Sequence, residues 1–567
     1  MGMTGFDDRG LTPTDERMTA ERMIAEHAPI ERAPAERMPA EPAPTERTPA
    51  EHVRTERVPA ERVPAEHLPA EPAVVIVGAG PTGLMLAAEL ALANVEVALL
   101  ERRPDQELMG QRALGFFART VEVFDQRGIA ERFLEQAKIG QFGGFAWIRL
   151  DVGDFPTRHA YGVGLAQRHI ERVLADWVAE LGVRIQYGAE VAGFTQDESG
   201  VEVGLSDGRT LRAQYLVGCD GGSSLIRKGA GIGFPGWDTS ISSLIGEVEF
   251  TTEPEYGLHR IDGGLHSFAA PNEKGLTGVM VSEPHPGRTE RPTLRDLSEA
   301  LTAAFGTDYG LHGAAWISRF SDMARQADSY RDRRVLLAGD SAHIHSPMGG
   351  QGLGVGVQDA VNLGWKLAQV VHGTAPQTLL DTYHAERHPV AARVLHNTLA
   401  QVALTGTGPR TEALRDIVTE LLAMDEPRRR IAGMMSGLDI QYPDIALAAA
   451  KAGDEPHPLL GRRMPDLDLI TPGGEERVYT LLHEARPVFL SFAQPGAFDL
   501  TAWSDRVRLV EAQTPAADTW DLPVLGAVPA VQAVLIRPDG YVAWAGGPDT
   551  PGLTEALTTW FGAPSGS

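Results

Sequence analysis

The sequence predicts an α/β fold: a Rossmann-like dinucleotide-binding domain interleaved with a mixed-sheet domain, and a smaller α/β unit at the C-terminal end. Three separated glycine motifs predict it. They are Gly78-Ala79-Gly80-Pro81-Thr82-Gly83, Cys219-Asp220-Gly221-Gly222-Ser223, and Ala338-Gly339-Asp340-Ser341-Ala342-His343 running on into Pro347-Met348-Gly349-Gly350-Gln351-Gly352. The first is built to cradle a pyrophosphate, and the other two each set an aspartate beside a glycine-tight turn. A long dinucleotide held across several chain segments needs that combination, and together the motifs indicate FAD.

Composition sets the outer bounds. With 567 residues the chain exceeds one hydrophobic core, so two or three domains are expected, and 43% hydrophobic residues is ordinary for a globular protein. A formal charge of -25 with no Lys/Arg stripe argues against nucleic acid as a partner. One cysteine, Cys219, excludes internal disulfides, Cys-x-x-Cys redox chemistry and cysteine-rich zinc sites. No apolar run approaches a membrane span and no secretory leader is visible, so no membrane association and a cytoplasmic address are expected.

Along the chain, residues 28–72 read as pentads such as Val-Pro-Ala-Glu-Arg. Recurrent proline removes backbone donors and few large apolar side chains remain, so residues 1–72 are expected to be a disordered, partly extended tail. Ala73–Val77, Pro81–Ala93 and Val95–Glu101 then read as strand, helix and strand. Gly78 permits the tight turn, Gly80 lets phosphate approach the backbone, and Gly83 lets the helix pack on the strand. Glu101 closes the second strand about 20 residues on, where a carboxylate holds ribose hydroxyls. Residues 141–165 read as glycine-rich and irregular, and Gln167–Leu181 as a helix. Val201–Leu205 and Leu211–Val217 read as a hairpin through Asp207-Gly208. Leu276–Val281 and Ala314–Phe320 are strand-like runs within a ligand-covering sheet, Arg334–Ala338 a buried strand, and Gly356–Val371 a helix. The backbone N–H groups of Gly349–Gly352 are free to face the flavin ring, where negative charge gathers on reduction. After a helical stretch over 410–435, composition changes at Pro456. Strands at Val488–Phe492 and Val531–Ile536 follow, then a turn at Arg537-Pro538-Asp539-Gly540 and a helix at Leu553–Phe561.

The order and spacing of the three motifs resemble class A flavin-dependent aromatic monooxygenases, which have the para-hydroxybenzoate hydroxylase fold, over about residues 73–400. More closely, Arg112–Gly128 and Gln358–Leu367 resemble the aromatic polyketide hydroxylases of the angucycline and anthracycline type. The resemblance implies FAD, NADPH or NADH, dioxygen and an aromatic polyketide substrate. Reduced FAD would add dioxygen at C4a, and the hydroperoxide would hydroxylate an electron-rich phenol, with no obligatory protein base. Changed chemistry on the same scaffold (Baeyer-Villiger insertion, dehydration or antibiotic inactivation) and a non-catalytic flavin-binding protein are the competing readings.

Carried over by residue, the resemblance puts Gly78, Gly80 and Gly83 at the pyrophosphate and Glu101 at the adenosine ribose. Gln167 falls at the ribityl or pyrophosphate region and Arg112 near the flavin. Asp220 serves FAD and NAD(P)H, Asp340 the ribityl chain, and Gly350, Gly352 and Leu353 the flavin ring. The family often has asparagine and threonine where this chain has Gly354 and Val355, so a side-chain contact is lost there. The implied domains are 73–140, 169–242 and 331–455 for FAD, and 141–168 and 243–330 for substrate. Residues 456–567 form a thioredoxin-like domain without redox cysteines. His343 and His345 lack companion ligands at metal-site spacing, so no metal is expected.

Overall fold

The computed structural model describes residues 71–108, 113–261, 264–288, 290–445, 456–514 and 518–565. Residues 1–70 of the repeat tail and Arg112 lie outside the described residues.

Val74–Val77 and Val97–Glu101 are parallel strands joined through the helix Pro81–Leu92. Pro81 stands at the start of the helix, where its missing N–H removes no hydrogen bond. Both strands are apolar without alternation because they lie in the middle of a sheet covered on both faces. That sheet has the order Arg331–Asp332, Val335–Leu337, Tyr215–Gly218, Val74–Val77, Val97–Glu101 and Ile185–Tyr187. All neighbours are parallel except the Arg331–Asp332 edge. The first and second glycine motifs therefore leave adjacent strands at the same carboxyl edge, the usual ligand edge of such a sheet.

The run Leu211–Val217 is not one strand. Thr210–Ala213 pairs with Val201–Leu205, and Tyr215–Gly218 enters the parallel sheet. The chain changes sheets at Gln214, where the N–H groups of Gln214 and Tyr215 both donate to the Ala73 carbonyl, at 3.0 and 3.2 Å. Residues 141–165, read as irregular, contain a hairpin of Phe142–Phe145 and Ile148–Asp151.

A five-stranded antiparallel sheet runs in the order Gly257–Ile261, Gly264–Phe268, Thr277–Ser282, Ser242–Phe250 and Leu311–Ser321. Leu244, Val248, Phe268, Val279 and Val281 pack on Leu297, Ala300 and Leu301 of the helix Leu294–Phe305. The two-residue period of the strands puts Ile245, Met280, Trp316 and Phe320 on the opposite, open face.

The long helix Gly352–Val371 starts four residues before the expected Gly356. Glycine is a poor helix former, but packing overrides propensity here. A Cβ at Gly356 would collide with Thr82, and one at Gly364 would stand 2.5 Å from Glu89 Cβ. Small residues thus let this helix cross Pro81–Leu92 closely. Asp381–Ala403, Pro409–Leu422 and Asp425–Ser436 follow.

The C-terminal sheet has the order Arg508–Glu511, Val488–Ser491, Ala533–Ile536 and Val542–Gly546, the first pair parallel and the others antiparallel, with the helix Leu553–Phe561. This is the strand order of a thioredoxin-like unit. Its core includes Trp365 and Leu379 from the preceding helices. Buried ion pairs reinforce the junction. Arg537 donates to both oxygens of Glu386, at 2.6 and 2.8 Å, and Arg127 donates to both oxygens of Glu89 and to the Pro538 carbonyl.

Candidate cofactor and active site

The phosphate turn is shaped by what its glycines touch. Gly78 has φ +104°, and a Cβ on it would collide with the Cys219 carbonyl; one on Gly83 would collide with the Gly78 carbonyl. Gly80 differs, because a Cβ there would meet nothing within 4 Å. No side chain caps the helix that Gly80 precedes, so its first N–H groups and the positive end of its dipole face that open space. The turn is closed at Gly78 and Gly83, where backbone packs, and open at Gly80, before the uncapped helix start.

Glu101 is buried at the end of its strand and accepts from the N–H groups of Ala79 (2.8 Å) and Arg103 (2.9 Å). Arg103 donates to Glu171 at 2.9 Å and to the Ala79 carbonyl at 3.1 Å. Glu171 accepts in turn from Gln167 Nε2 at 2.7 Å. Gln167 and Glu101, 66 positions apart in sequence, therefore belong to one chain of polar contacts around the turn. Arg103 and Glu171 were not singled out from the sequence; the signal available was an arginine two residues past the strand-ending acid.

At the other end, Asp220 accepts from Ser224 Oγ (2.5 Å), Ser341 Oγ (2.9 Å) and the N–H groups of Leu225 and Ile226. It ties the second motif to the third. Asp340 is exposed and hydrogen-bonds no described residue. Gly339, with φ +60°, presses on Thr82 of the first motif, so all three motifs meet.

Asp359 anchors the third motif. It accepts from the Gly339 N–H at 3.2 Å and Arg387 Nε at 2.7 Å, and pairs with His343 Nε2 at 2.7 Å. Burial pushes its carboxyl up, but Arg387 and His343 outweigh burial and hold it below the usual carboxylate range. His343 is thereby a loop anchor, and His345 pairs through Nδ1 with the Ser346 carbonyl. Among the described residues, no group of three or more His, Cys, Asp or Glu is placed to hold a metal.

Gly349 and Gly350 have φ of +82° and +63°. Gln351 points its side chain at the Met434 and Met435 carbonyls and does not cap the helix after it. The N–H groups of Gly352, Leu353 and Gly354 are the first of that helix. A Cβ at Gly354 would stand 2.6 Å from Thr120 Oγ1, so the glycine there serves the packing of the helix on Thr120. Burial and the neighbouring Asp220 push the Cys219 thiol well up, which keeps it neutral and unreactive. His266 lies under Leu294–Phe305 against Phe305, away from the open sheet face, and His312 is exposed beside Glu249.

The fold and this three-part cradle define a dinucleotide-binding flavoprotein. The comparisons with known proteins place it further. Residues 71–398 match the family model described as an FAD binding domain, and residues 457–564 match the aromatic-ring hydroxylase C-terminal domain. The chain is 44% identical over 514 residues to a 12-dehydrotetracycline 5-monooxygenase/anhydrotetracycline 6-monooxygenase of Streptomyces rimosus, covering 87% of this chain and 99% of that one. It is 42% identical to a rifampicin monooxygenase of Streptomyces venezuelae, covering 86% and 98%. The crystal structure of CabE, an aromatic hydroxylase from angucycline biosynthesis, superimposes with a TM-score of 0.77 at 43% identity, covering 87% and 100%. The chain belongs to the FAD-dependent aromatic-ring hydroxylases and is a monooxygenase that uses FAD. Among the described residues, no helix is long and apolar enough to cross a membrane.

Proposed function

We propose that this monooxygenase hydroxylates a phenolic, polycyclic aromatic polyketide in antibiotic biosynthesis, with NADPH or NADH as reductant and dioxygen as the oxygen source. The observation that carries the reading is the open face of the five-stranded sheet. Ile245 pairs with Met280, and Trp316 and Phe320 stand on the same face of the adjoining strand opposite Glu247 and Ser243, giving an apolar floor suited to fused rings with polar side chains among it. Arg260 in the edge strand donates to the Gly406 carbonyl at 2.7 Å, joining this sheet to the segment after Asp381–Ala403.

In this reading the domains are those expected from the sequence. Gly78, Gly80 and Gly83 hold the pyrophosphate, Glu101 the adenosine ribose and Asp340 the ribityl chain. The N–H groups of Gly350, Gly352 and Leu353 face the flavin ring. Gln167 supports Glu101 through Glu171 and Arg103, and Asp220 acts through Ser341; Arg112 keeps its assignment beside the flavin. FAD supplies the oxygen-activating chemistry. The chain binds and orients the substrate and excludes water. Arg415 is close enough to Arg260 for the two to repel. Their shared positive field favours an ionised phenol, which activates its own ortho and para carbons. A protein base is then unnecessary, in keeping with the placement of His266 and His312 off the floor.

Purified enzyme given NADPH, labelled dioxygen and a panel of anhydrotetracycline-like and angucyclinone-like phenols is expected to place one labelled oxygen in the product. Loss of water without label would mean dehydration, and label with ring expansion would mean Baeyer-Villiger insertion. Loss of antibacterial potency of a rifamycin would favour an inactivating role. NADPH oxidation that no phenol stimulates would reduce the protein to a ligand binder.

A further inference from the structure

The hairpin of Phe142–Phe145 and Ile148–Asp151 turns in two residues, since Phe145 pairs with Ile148 across the bend. Those residues are Ala146 and Trp147, with φ of +49° and +67°. A bend with both φ positive is ordinarily made of Asn-Gly or Asp-Gly, because a Cβ in the left-handed region crowds the following carbonyl. Such strain persists only where surroundings hold it, and it concentrates at functional sites. Here both backbone groups of Ala146 are held. Its N–H donates to Gln401 Oε1 at 2.9 Å, and its carbonyl accepts from Arg415 Nη1 at 2.5 Å. Phe145, Ala146 and Ile148 are buried, whereas Trp147 is 50% exposed. The hairpin core is thus complete without the indole.

The clamps also locate the bend. A Cβ at Gly349, the first glycine of the flavin loop, would stand 2.5 Å from Gln401 Nε2. Arg415 is the neighbour of Arg260, which belongs to the edge strand of the open sheet. The strained bend therefore lies one side chain, Gln401, from Gly349 of the flavin loop, and reaches the edge strand of the open sheet through Arg415 and its neighbour Arg260.

We propose that Trp147 is the stacking platform for the substrate's aromatic rings and determines specificity for fused-ring compounds. This rests on the reading that the substrate is a polycyclic phenol. An indole offers the largest flat apolar face of any side chain for few frozen rotors, and stacking on a ring adds to the area it covers. The floor and the indole would hold the rings from two sides, leaving their edge toward the flavin loop.

The test uses the full-length, FAD-loaded protein and its Trp147→Phe, Trp147→Ala and Trp147→Gly variants. The dissociation constant of emodin, a phenolic anthraquinone, is measured by calorimetry alongside the melting temperature and the flavin spectrum. Trp147→Ala and Trp147→Gly should bind at least about tenfold more weakly, and Trp147→Phe within about threefold of wild type. Trp147→Gly should melt no lower than wild type, because glycine accepts the bend without strain. Affinity lost while stability holds separates a platform from a structural plug. Equal affinity of Trp147→Ala and wild type, with turnover of a phenol intact, would overturn the proposal and leave the function standing. Melting temperatures falling in step with affinity in every variant would make Trp147 structural. Failure of wild type to bind any polycyclic phenol would remove both readings.

Discussion

At the scale of single residues, the three glycines of the first motif, given separate tasks from the sequence, differ in what surrounds them. Gly83→Ala drives a methyl group into the Gly78 carbonyl, an overpacking that costs about 1–3 kcal/mol and should appear as a lower urea midpoint. Gly80→Ala meets nothing, so its stability should change by less than about 1 kcal/mol while FAD affinity falls at least about tenfold, measured by flavin fluorescence. The motif and a separate task for each glycine were read from the spacing, whereas the contact that excludes a side chain at Gly78 was not, because the Cys219 carbonyl arrives from a strand far along the chain. His266 illustrates the converse case of a residue that could not be placed from sequence. Its Nδ1 accepts from the Ser282 N–H, Nε2 has no described partner, and burial pushes the imidazole down to about 4 from 6.5. The unfolded chain takes up this proton first as pH falls, so stability contributed above about pH 6.5 is lost progressively toward pH 4. A His266→Gln variant should show a shallower fall in melting temperature over that interval. Parallel pH profiles would show that His266 does not titrate with unfolding.

At the scale of elements, regularity in the sequence decided what could be read. The βαβ opening and the terminal helix Leu553–Phe561 were legible because apolar spacing, proline and glycine agreed there. The hairpin at Phe142–Asp151 was missed because Ala146-Trp147 carries none of the residues that mark a two-residue bend, and its strain is held by Gln401 and Arg415, more than 250 positions away. The long helix was started too late for a similar reason. Gly352, Gly354 and Gly356 look like helix breakers, yet Gly354 and Gly356 each permit a close contact that a larger residue would block. The same argument applies deeper in the helix, at its crossing with Pro81–Leu92. Gly364→Ala would put its methyl 2.5 Å from Glu89 Cβ, although alanine is the better helix former. Contact should win over propensity, lowering stability by about 1–3 kcal/mol in denaturant titrations. A stabilised variant would mean that the two helices can part without cost.

At the scale of the whole molecule, the C-terminal domain is bonded to the cofactor domain through charges that in sequence resemble ordinary solvated residues. Arg537 is buried between Glu386, Asp539 and the ring of Trp560, and Asn362 reaches across to Asp539 at 3.2 Å. Burial pushes the Glu386 carboxyl up, yet Arg537 and Lys366 outweigh it and bring it down to about 2, so the pair is ionised at neutral pH. Removing one partner strands the other as a buried charge, which costs about 3–5 kcal/mol. Arg537→Ala should lose that much in urea unfolding, and the double variant Arg537→Met with Glu386→Gln should recover a substantial part of it. The effect should also reach the flavin loop. Glu386 adjoins Arg387, Arg387 bonds Asp359, and Asp359 holds both Gly339 and His343. Arg537→Ala should therefore weaken FAD retention in dialysis although Arg537 belongs to another domain. Deletion of the segment beyond residue 456 should be more severe, leaving Glu386 and the Arg127–Glu89 pair exposed at a stripped apolar surface. A truncated protein that keeps FAD and wild-type stability would show that these buried charges join two domains without either depending on the other.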